Sequence, residues 1–225
     1  MIPWELIETA PVPDSDDQLT LYRRGEEYSI RTGRLELMNS RVHGSEDALA
    51  DYACAKLGGQ QRPRLLIGGL GMGYTLGKAL GQLGPKAKIE VAELVPAVID
   101  WNRGVLGDLA ERPLDDPRVE VHQGDIVPLL RKAPETYDAV VLDVDNGPEG
   151  LTRKSNNWLY QPHGLKAIHW TLRPGGVLAV WSVGVDPPFV KRLGQAGFTV
   201  EEERVRSRGE SGGGRFVIWL AVRQD

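Results

Sequence analysis

An α/β fold with a mostly parallel, doubly wound sheet is predicted by three observations. Between residues 64 and 182, short apolar runs alternate with amphipathic stretches, as strands and helices do when helices cover both faces of a sheet. The first apolar run, 64–67, breaks into glycines, which is typical of a strand that turns tightly into a helix. Two segments at 198–206 and 215–223, joined by a glycine-rich loop, predict antiparallel strands at the edge of the sheet.

A small β-rich extension is predicted before this sheet. Residues 19–38 alternate apolar and polar side chains between turn residues at Gly25 and Gly33, which is the pattern of short antiparallel strands. The acidic, proline-containing residues 11–17 predict an irregular lead-in. We therefore expect the extension to occupy residues 1–44.

The main domain is expected to span residues 45–225 and to begin with a helix at 45–57. Ser45 or its neighbour would cap this helix, and Gly58 and Gly59 would end it. Apolar runs then predict strands at 64–67, 88–93, 119–122, 137–143 and 176–182. Helical patterns predict helices at 73–83, 95–105, 126–132, 157–172 and 187–196.

Composition restricts the classes of function. With 225 residues and a net charge of −4, the chain can bury a full core but offers no broad basic surface, so nucleic-acid binding is not expected. Cys54 is the single cysteine and the four histidines lack ligand spacing, so we expect no disulfide and no metal site. The sequence has no recognisable leader or membrane-spanning run, which predicts a cytoplasmic protein without a membrane partner.

The glycine-rich turn predicts a site for an adenosine-containing cofactor. Gly69, Gly71 and Gly73 let the backbone approach a ligand closely, and the following helix presents unpaired N–H groups. Glu93 ends the next predicted strand, where a carboxylate can accept hydrogen bonds from both hydroxyls of a ribose. The G-x-G-x-G spacing argues against the dinucleotide turn of a nicotinamide-dependent dehydrogenase and favours a sulfonium nucleoside. A tight strand-to-helix turn without a ligand stays open as an alternative.

Carboxylates follow two further predicted strands, at the sheet edge where open α/β sheets bind ligands. Asp125 follows the third strand and can accept a hydrogen bond from an adenine amino group or cap the next helix. Asp143 and Asp145 follow the fourth strand, where a carboxylate can hold an amine nucleophile and take its proton. A turn built from Asp, Asn, Gly and Pro is the structural alternative for this segment.

The chain resembles the spermidine synthase-like family of polyamine aminopropyltransferases, within the class I (Rossmann-like) S-adenosylmethionine-dependent methyltransferase folds. The Asp-Asp-Pro-Arg-Val-Glu-Val run at 115–121 and the Gly-Asp pair at 124–125 carry this resemblance more specifically than the glycine loop. The other matching segments are 41–46, 66–73, 91–99, 137–138, 142–143, 159–160 and 172–176. Members of the family usually have an acid in the first loop where this chain has Met72.

The resemblance implies a role for each candidate residue. Glu93 binds the ribose, Asp125 approaches the adenine, and Asp143 takes the position of the catalytic carboxylate. The residues expected to shape the pocket for a cationic substrate are His43, Glu46, Asp145 and Glu149. The resemblance also implies a cytoplasmic enzyme that forms homodimers.

Three functions are open at this point. The first is transfer of an aminopropyl group from decarboxylated S-adenosylmethionine to an amine. The second is methyl transfer from S-adenosylmethionine itself to a small acceptor, since Met72 removes one reason to prefer the decarboxylated donor. The third is a nucleoside-binding protein without turnover. The expected partner is a small molecule, the donor is the co-substrate, and the identity of the acceptor is not determined by the sequence.

Overall fold

The computed structural model describes residues 2–144, 157–208 and 212–224, which form two sheets. The first sheet is antiparallel with the order β1-β2-β3-β4. Its strands are β1 (Glu5–Pro11), β2 (Gln18–Arg24), β3 (Glu27–Thr32) and β4 (Leu35–Asn39). The predicted β-rich extension is thereby confirmed, but β1 was not predicted. Its first five residues are all exposed, so no alternation of apolar and polar side chains marks it.

The second sheet has the order β10-β11-β9-β8-β5-β6-β7. Its strands are β5 (Arg64–Gly68), β6 (Lys88–Glu93), β7 (Val119–Gln123), β8 (Tyr137–Leu142), β9 (Leu172–Ser182), β10 (Phe198–Arg206) and β11 (Arg215–Arg223). Strands β5 to β9 are parallel, whereas β10 and β11 are antiparallel, as predicted for the edge. The chain moves outward from β5 to β7 and then returns to β8 on the other side of β5. The strand order therefore reverses between β5 and β8, where such sheets bind ligands.

The helices cover both faces of the large sheet. They are α1 (Gly44–Ala55), α2 (Tyr74–Gln82), α3 (Pro96–Arg103), α4 (Val127–Leu130), α5 (Asn157–Tyr160), α6 (Pro162–Thr171) and α7 (Pro187–Gln195). Short 3-10 helices at Gly107–Ala110 and Pro113–Asp115 lie between α3 and β7. In the part of the chain that is described, no helix combines the length and apolar character needed to span a membrane.

Two predictions about the helices were wrong in detail. The helix expected at 157–172 is two helices, because Pro162 begins a new one and Leu172 already belongs to β9. Ser45 does not cap α1. His43 precedes this helix, and the Ser45 hydroxyl donates a hydrogen bond to the Glu46 side chain instead.

The large sheet is buried on both faces. Successive residues of β5 alternate between the two apolar cores, with Leu65 and Ile67 in one and Leu66 in the other. Leu21 and Ile30 of the small sheet belong to the first of these cores, so the extension packs on the same face as α1 and α2. The boundary between an extension of 1–44 and a domain of 45–225 stays a prediction.

Candidate active site

The carboxyl ends of β5 and β8 lie side by side at the reversal point of the large sheet. Gly68 and Leu142, the last residues of these strands, are partners in the parallel register. Asp143 follows β8 and donates its backbone N–H to the Gly68 carbonyl at 2.9 Å. Since ligands bind at such a crevice in open α/β sheets, this edge is the candidate active site.

The glycine loop after β5 has a backbone conformation that glycine adopts readily and other residues rarely do. Gly69, Gly71 and Gly73 have φ angles of +89°, +53° and +85°. A Cβ atom on Gly69 would lie 2.3 Å from the carbonyl oxygen of Asp143, so the loop and the end of β8 touch through backbone atoms. The Met72 side chain is fully buried in the core. The loop therefore offers mainly its backbone to the crevice.

Glu93 ends β6, and its buried carboxylate fixes the backbone segments that follow β5 and β6. Its Oε2 accepts a hydrogen bond from the N–H of Leu70 at 2.9 Å, and its Oε1 accepts one from the N–H of Val95 at 2.8 Å. Burial raises the pKa of Glu93, and the backbone N–H donors oppose this shift. The backbone N–H groups of Leu94 and Gly71 also act on this carboxylate, so a ribose hydroxyl would share its oxygens with backbone donors. Its contact with a ribose stays a prediction.

Asp125 follows β7 and is exposed. Its Oδ1 accepts a hydrogen bond from the N–H of Val127, the first residue of α4, at 2.9 Å. The capping role that the sequence left open is therefore present. A carboxylate has two oxygens, so capping through Oδ1 is compatible with an adenine contact through Oδ2, and that contact stays a prediction.

Asp143 is partly buried, and its carboxylate is bound by Thr75. The Thr75 hydroxyl donates to Asp143 Oδ2 at 2.7 Å. Burial raises the pKa of Asp143, and the hydrogen bond from Thr75 opposes this shift. A carboxylate with a raised pKa at this edge of the sheet is suited to accept a proton from an amine. Thr75 was not among the predicted site residues, because its contact with Asp143 depends on which side of α2 faces the end of β8.

Glu46 lies in the first turn of α1 and interacts electrostatically with Asp143. The Ser45 hydroxyl donates to Glu46 Oε2 at 2.5 Å. Burial, followed by the negative charge of Asp143, raises the pKa of Glu46 to about 7. The fold thus brings together two carboxylates that are distant in the sequence, one before β5 and one after β8.

His43 precedes α1 and stacks on Tyr74, with the ring centroids 4.0 Å apart and the planes inclined by 10°. Its Nδ1 lies 2.9 Å from Asp47 Oδ2. Burial and the nearby acids raise the pKa of Tyr74 to about 12, so its hydroxyl is neutral at ordinary pH. Because Tyr74 immediately precedes Thr75, the stack places His43 beside the helical turn that binds Asp143. A contact of His43 with substrate stays a prediction.

Two predicted residues, Asp145 and Glu149, lie outside the described residues. Their roles in binding a cationic substrate stay predictions. Among the described residues, the negative charge of Asp143 acts on Glu46, and Glu93 is hydrogen bonded to the same glycine loop that touches Asp143.

A second group of ionisable side chains lies within the large sheet. Glu90 and Glu120 are partners in β6 and β7, and His122 Nε2 lies 3.1 Å from Glu90 Oε2 and 3.6 Å from Glu120 Oε1. These atoms are close enough to ligate one metal ion, but the Arg64 guanidinium lies 3.0 Å from Glu90 Oε1 and already places a positive charge there. Histidine spacing could not predict this group, because the pairing of neighbouring strands creates it. We assign it no part in the candidate active site.

Comparison with known proteins adds independent information. A family model described as the spermine/spermidine synthase domain matches residues 57–187. Polyamine aminopropyltransferase 2 of Pseudomonas aeruginosa is 34% identical to this chain over 125 residues, which covers 54% of this chain and 33% of that protein. The chain therefore matches about a third of the length of that relative.

Two solved structures share the architecture of nearly the whole chain. They are a spermidine synthase from Thermotoga maritima, with a TM-score of 0.75 at 17% identity, and a spermidine synthase in complex with the transition state analogue AdoDATO, with a TM-score of 0.74 at 16% identity. Each alignment covers 97% of this chain and 72% of the other. At this level of identity the likeness concerns the fold, and it confirms the predicted fold class.

Proposed function

The chain belongs to the spermine/spermidine synthase family, and from this premise we propose that it transfers an aminopropyl group from decarboxylated S-adenosylmethionine to a small amine. The observation that carries the proposal is the position of Asp143. Its backbone touches the glycine loop, and its carboxylate has a pKa raised by burial at the reversal point of the sheet. A base at that position lies beside the loop that would hold the sulfonium nucleoside.

The donor would occupy the crevice at the carboxyl ends of β5 and β8, against the glycine loop and Glu93. The loop supplies backbone atoms for close contact, and Glu93 would accept hydrogen bonds from the ribose hydroxyls. Asp125 would contact the adenine through the oxygen that does not cap α4. Gly69, Gly71 and Gly73 give the loop the positive φ angles that its path along the crevice requires.

The reaction that we propose is a nucleophilic substitution at carbon. The amine lone pair attacks the CH₂ group of the aminopropyl chain that is bonded to the sulfonium. A carbon–nitrogen bond forms, and the bond between that carbon and sulfur breaks. The bonding electrons stay on sulfur, so methylthioadenosine leaves as a neutral thioether. Asp143 accepts one proton from the attacking nitrogen and later releases it to water. Placing the two reactants in line contributes more to the rate than the base does.

Mass spectrometry of the products tests this proposal. The purified protein is incubated with decarboxylated S-adenosylmethionine and α,ω-diamines, and separately with intact S-adenosylmethionine and the same acceptors. We expect an aminopropylated diamine and methylthioadenosine only with the decarboxylated donor. Methylated product from the intact donor would support the methyltransferase alternative instead, and binding of either nucleoside without product would support the non-catalytic alternative.

Two substitutions test the residue roles. Asp143→Asn should lower turnover by about 100-fold or more, because the amide cannot accept the proton. Glu93→Gln should weaken binding of methylthioadenosine by about tenfold, because an amide NH₂ replaces one acceptor oxygen. Asp51→Asn is the matched control, since this half-buried acid of α1 pairs with Lys78, away from the candidate active site. Unchanged turnover in Asp143→Asn would exclude it as the base.

The assembly and the cellular location also belong to the proposal. We expect a homodimer in the cytoplasm that acts on small molecules and binds no nucleic acid. The net charge of −4 supports the last point, because polyanions are repelled by an acidic protein. Light scattering of the purified protein measures the oligomeric state directly.

A further inference from the structure

Two side chains from outside the glycine loop bind the backbone of that loop. Glu93, at the end of β6, accepts a hydrogen bond from the N–H of Leu70 at 2.9 Å. Asn102, near the end of α3, donates a hydrogen bond through Nδ2 to the carbonyl oxygen of Gly71 at 2.8 Å. The loop is therefore held at two successive residues, once through an N–H group and once through a carbonyl group.

The hydrogen bond from Asn102 acts on a peptide group that the loop itself does not fix. Residues 70–73 form a β-turn, in which the N–H of Gly73 donates to the carbonyl of Leu70 at 2.8 Å. Gly71 has a φ of +53° and the φ of Met72 is not positive, which is the combination of a type II′ turn. The central peptide of this turn, between Gly71 and Met72, takes no part in the hydrogen bond that closes it. Because glycine adopts positive and negative φ angles about equally well, this peptide can reorient unless another group holds it.

The amide of Asn102 has one satisfied end and one unsatisfied end. The side chain is 1% exposed, and its Nδ2 also donates to the carbonyl of Val98, one turn earlier in α3, at 2.8 Å. Its Oδ1 is buried and has no hydrogen-bond partner among the described residues. A Cβ atom on Gly73 would lie 2.9 Å from this oxygen, so the amide packs directly against the loop. The reverse orientation of the amide would place its oxygen against two carbonyl oxygens, so the Nδ2 contacts determine how the side chain is oriented.

We propose that Asn102 is a positioning residue for the donor, because it fixes the central peptide of the turn so that the N–H of Met72 can donate to a ribose oxygen. The N–H and C=O of a trans peptide point in opposite directions, so the Met72 N–H points away from Asn102. In the described part of the chain, no hydrogen bond of this N–H is found. Glu93 binds Leu70, two residues before Met72, so a ribose bound by Glu93 would lie beside this donor. The inference rests on the proposed function, which supplies the nucleoside.

Calorimetric titration with methylthioadenosine tests this role without any transfer step, because the molecule contains the ribose and the adenine but no aminopropyl group. Asn102→Leu keeps nearly the same side-chain volume and removes the Nδ2 donor. It should weaken binding about tenfold, which corresponds to the loss of about one hydrogen bond. In steady-state kinetics, the KM for the donor should rise about tenfold while the KM for the diamine is unchanged.

Thr171→Val is the matched control for the loss of a buried hydrogen bond. The fully buried Thr171 hydroxyl donates to the carbonyl of Ala133 at 3.1 Å. Ala133 precedes β8 and Thr171 precedes β9, so this contact lies at the edge of the sheet opposite to the glycine loop. The control variant should bind methylthioadenosine with the affinity of the wild type.

The Met72 N–H can be observed directly by NMR, without any change to Asn102. The chain contains three methionines, so protein labelled with ¹⁵N-methionine gives at most three amide signals from this residue type, and Met72→Leu identifies the signal of Met72 by its loss. Saturation with methylthioadenosine should move the Met72 signal to lower field and slow the exchange of its proton with water, because the N–H then donates to the ligand. This measurement tests the proposal even if Asn102→Leu fails to fold.

The outcomes distinguish failure of this inference from failure of the proposed function. If the wild type transfers an aminopropyl group but Asn102→Leu binds methylthioadenosine as tightly as the wild type, the inference is wrong and the function stands. An unmoved Met72 signal in the saturated wild type, or an equal loss of affinity in Thr171→Val, also overturns the inference. If no transfer product forms with any donor while methylthioadenosine binding still depends on Asn102 and moves the Met72 signal, the proposed reaction fails and the positioning role remains.

Discussion

Replacement of Glu46 by glutamine should stabilise the empty protein at alkaline pH. The folded protein raises the pKa of Glu46 from the ordinary 4.5 to about 7, because burial and the charge of Asp143 disfavour the ionised form. One pKa unit corresponds to about 1.4 kcal/mol, so ionised Glu46 lowers the free energy of unfolding by about 3 kcal/mol. A glutamine has nearly the same shape and can still accept the Ser45 hydroxyl, but it carries no charge.

The stability difference between Glu46→Gln and the wild type should depend on pH in one direction only. The folded-state pKa of Glu46 lies above that of the unfolded chain, so the wild type loses stability relative to the variant as the pH rises from 4.5 to about 7. The variant should therefore exceed the wild type by about 3 kcal/mol at about pH 8 and by less than about 1 kcal/mol near pH 4.5. For a protein of this size, about 3 kcal/mol is a rise of about 6 to 12 °C in Tm.

Urea denaturation followed by tryptophan fluorescence, at about pH 5 and about pH 8, measures these differences. Asp51→Asn removes the same charge from a half-buried position on the same helix, where it pairs with the partly accessible Lys78, and should change stability by less than about 1 kcal/mol at either pH. The reasoning would be refuted if Glu46→Gln were destabilising at pH 8, or if its effect were the same at both pH values. Either result would mean that Glu46 is not forced to ionise in an unfavourable environment.

Three further predictions follow from the geometry of the site and of the core. Gly69→Ala should lower the free energy of unfolding by about 3 kcal/mol or more, because its Cβ would lie 2.3 Å from the Asp143 carbonyl oxygen. Gly81→Ala, which has open space around it in α2, should raise the free energy of unfolding by about 0.5 kcal/mol, and equal effects of the two substitutions in urea denaturation would contradict this prediction. Thr75→Val removes the hydrogen bond that lowers the pKa of Asp143, so the acidic limb of the pH–rate profile should move to higher pH, and an unmoved limb would exclude Asp143 as the titrating base. Burial raises the pKa of the Cys54 thiol to about 12, so its alkylation should be at least about 100-fold slower in the folded protein than in urea, and equal rates would contradict the buried position.

The parallel sheet is the part of the fold that local sequence patterns predict best. Its inner strands are mostly apolar, and β6 was predicted at its observed bounds although Glu90 interrupts its apolar residues. Strand β1 shows no such pattern, since five exposed residues in a row leave only backbone pairing with β2 to define it. The start of β9 at Leu172 was missed for the same reason. The Arg-Pro-Gly-Gly segment at 173–176 is typical of a turn, and only the pairing of Tyr137 with Leu172 shows that the strand begins before it.

The candidate site was predictable where a residue follows directly from a strand end. Glu93 and Asp143 both end up beside the glycine loop because parallel strands direct their carboxyl ends to one edge. Thr75 could not be assigned in this way, because its importance depends on which side of α2 faces the end of β8. The family resemblance assigned Glu46 and Asp143 to one site, but local spacing in the sequence does not, because their association depends on how α1 packs against a strand that comes much later in the chain.

Stability and binding should therefore change in opposite directions at Glu46. The charge that destabilises the empty protein above pH 7 is the same charge that would stabilise the complex with an ammonium group. Addition of 1,4-diaminobutane should raise the Tm of the wild type more than that of Glu46→Gln, although the variant begins from the higher value. A carboxylate with a purely structural role would show the reverse, since its removal would lower the Tm and leave the effect of the amine unchanged. Together, the two measurements show whether Glu46 contributes to ligand binding or to the stability of the fold.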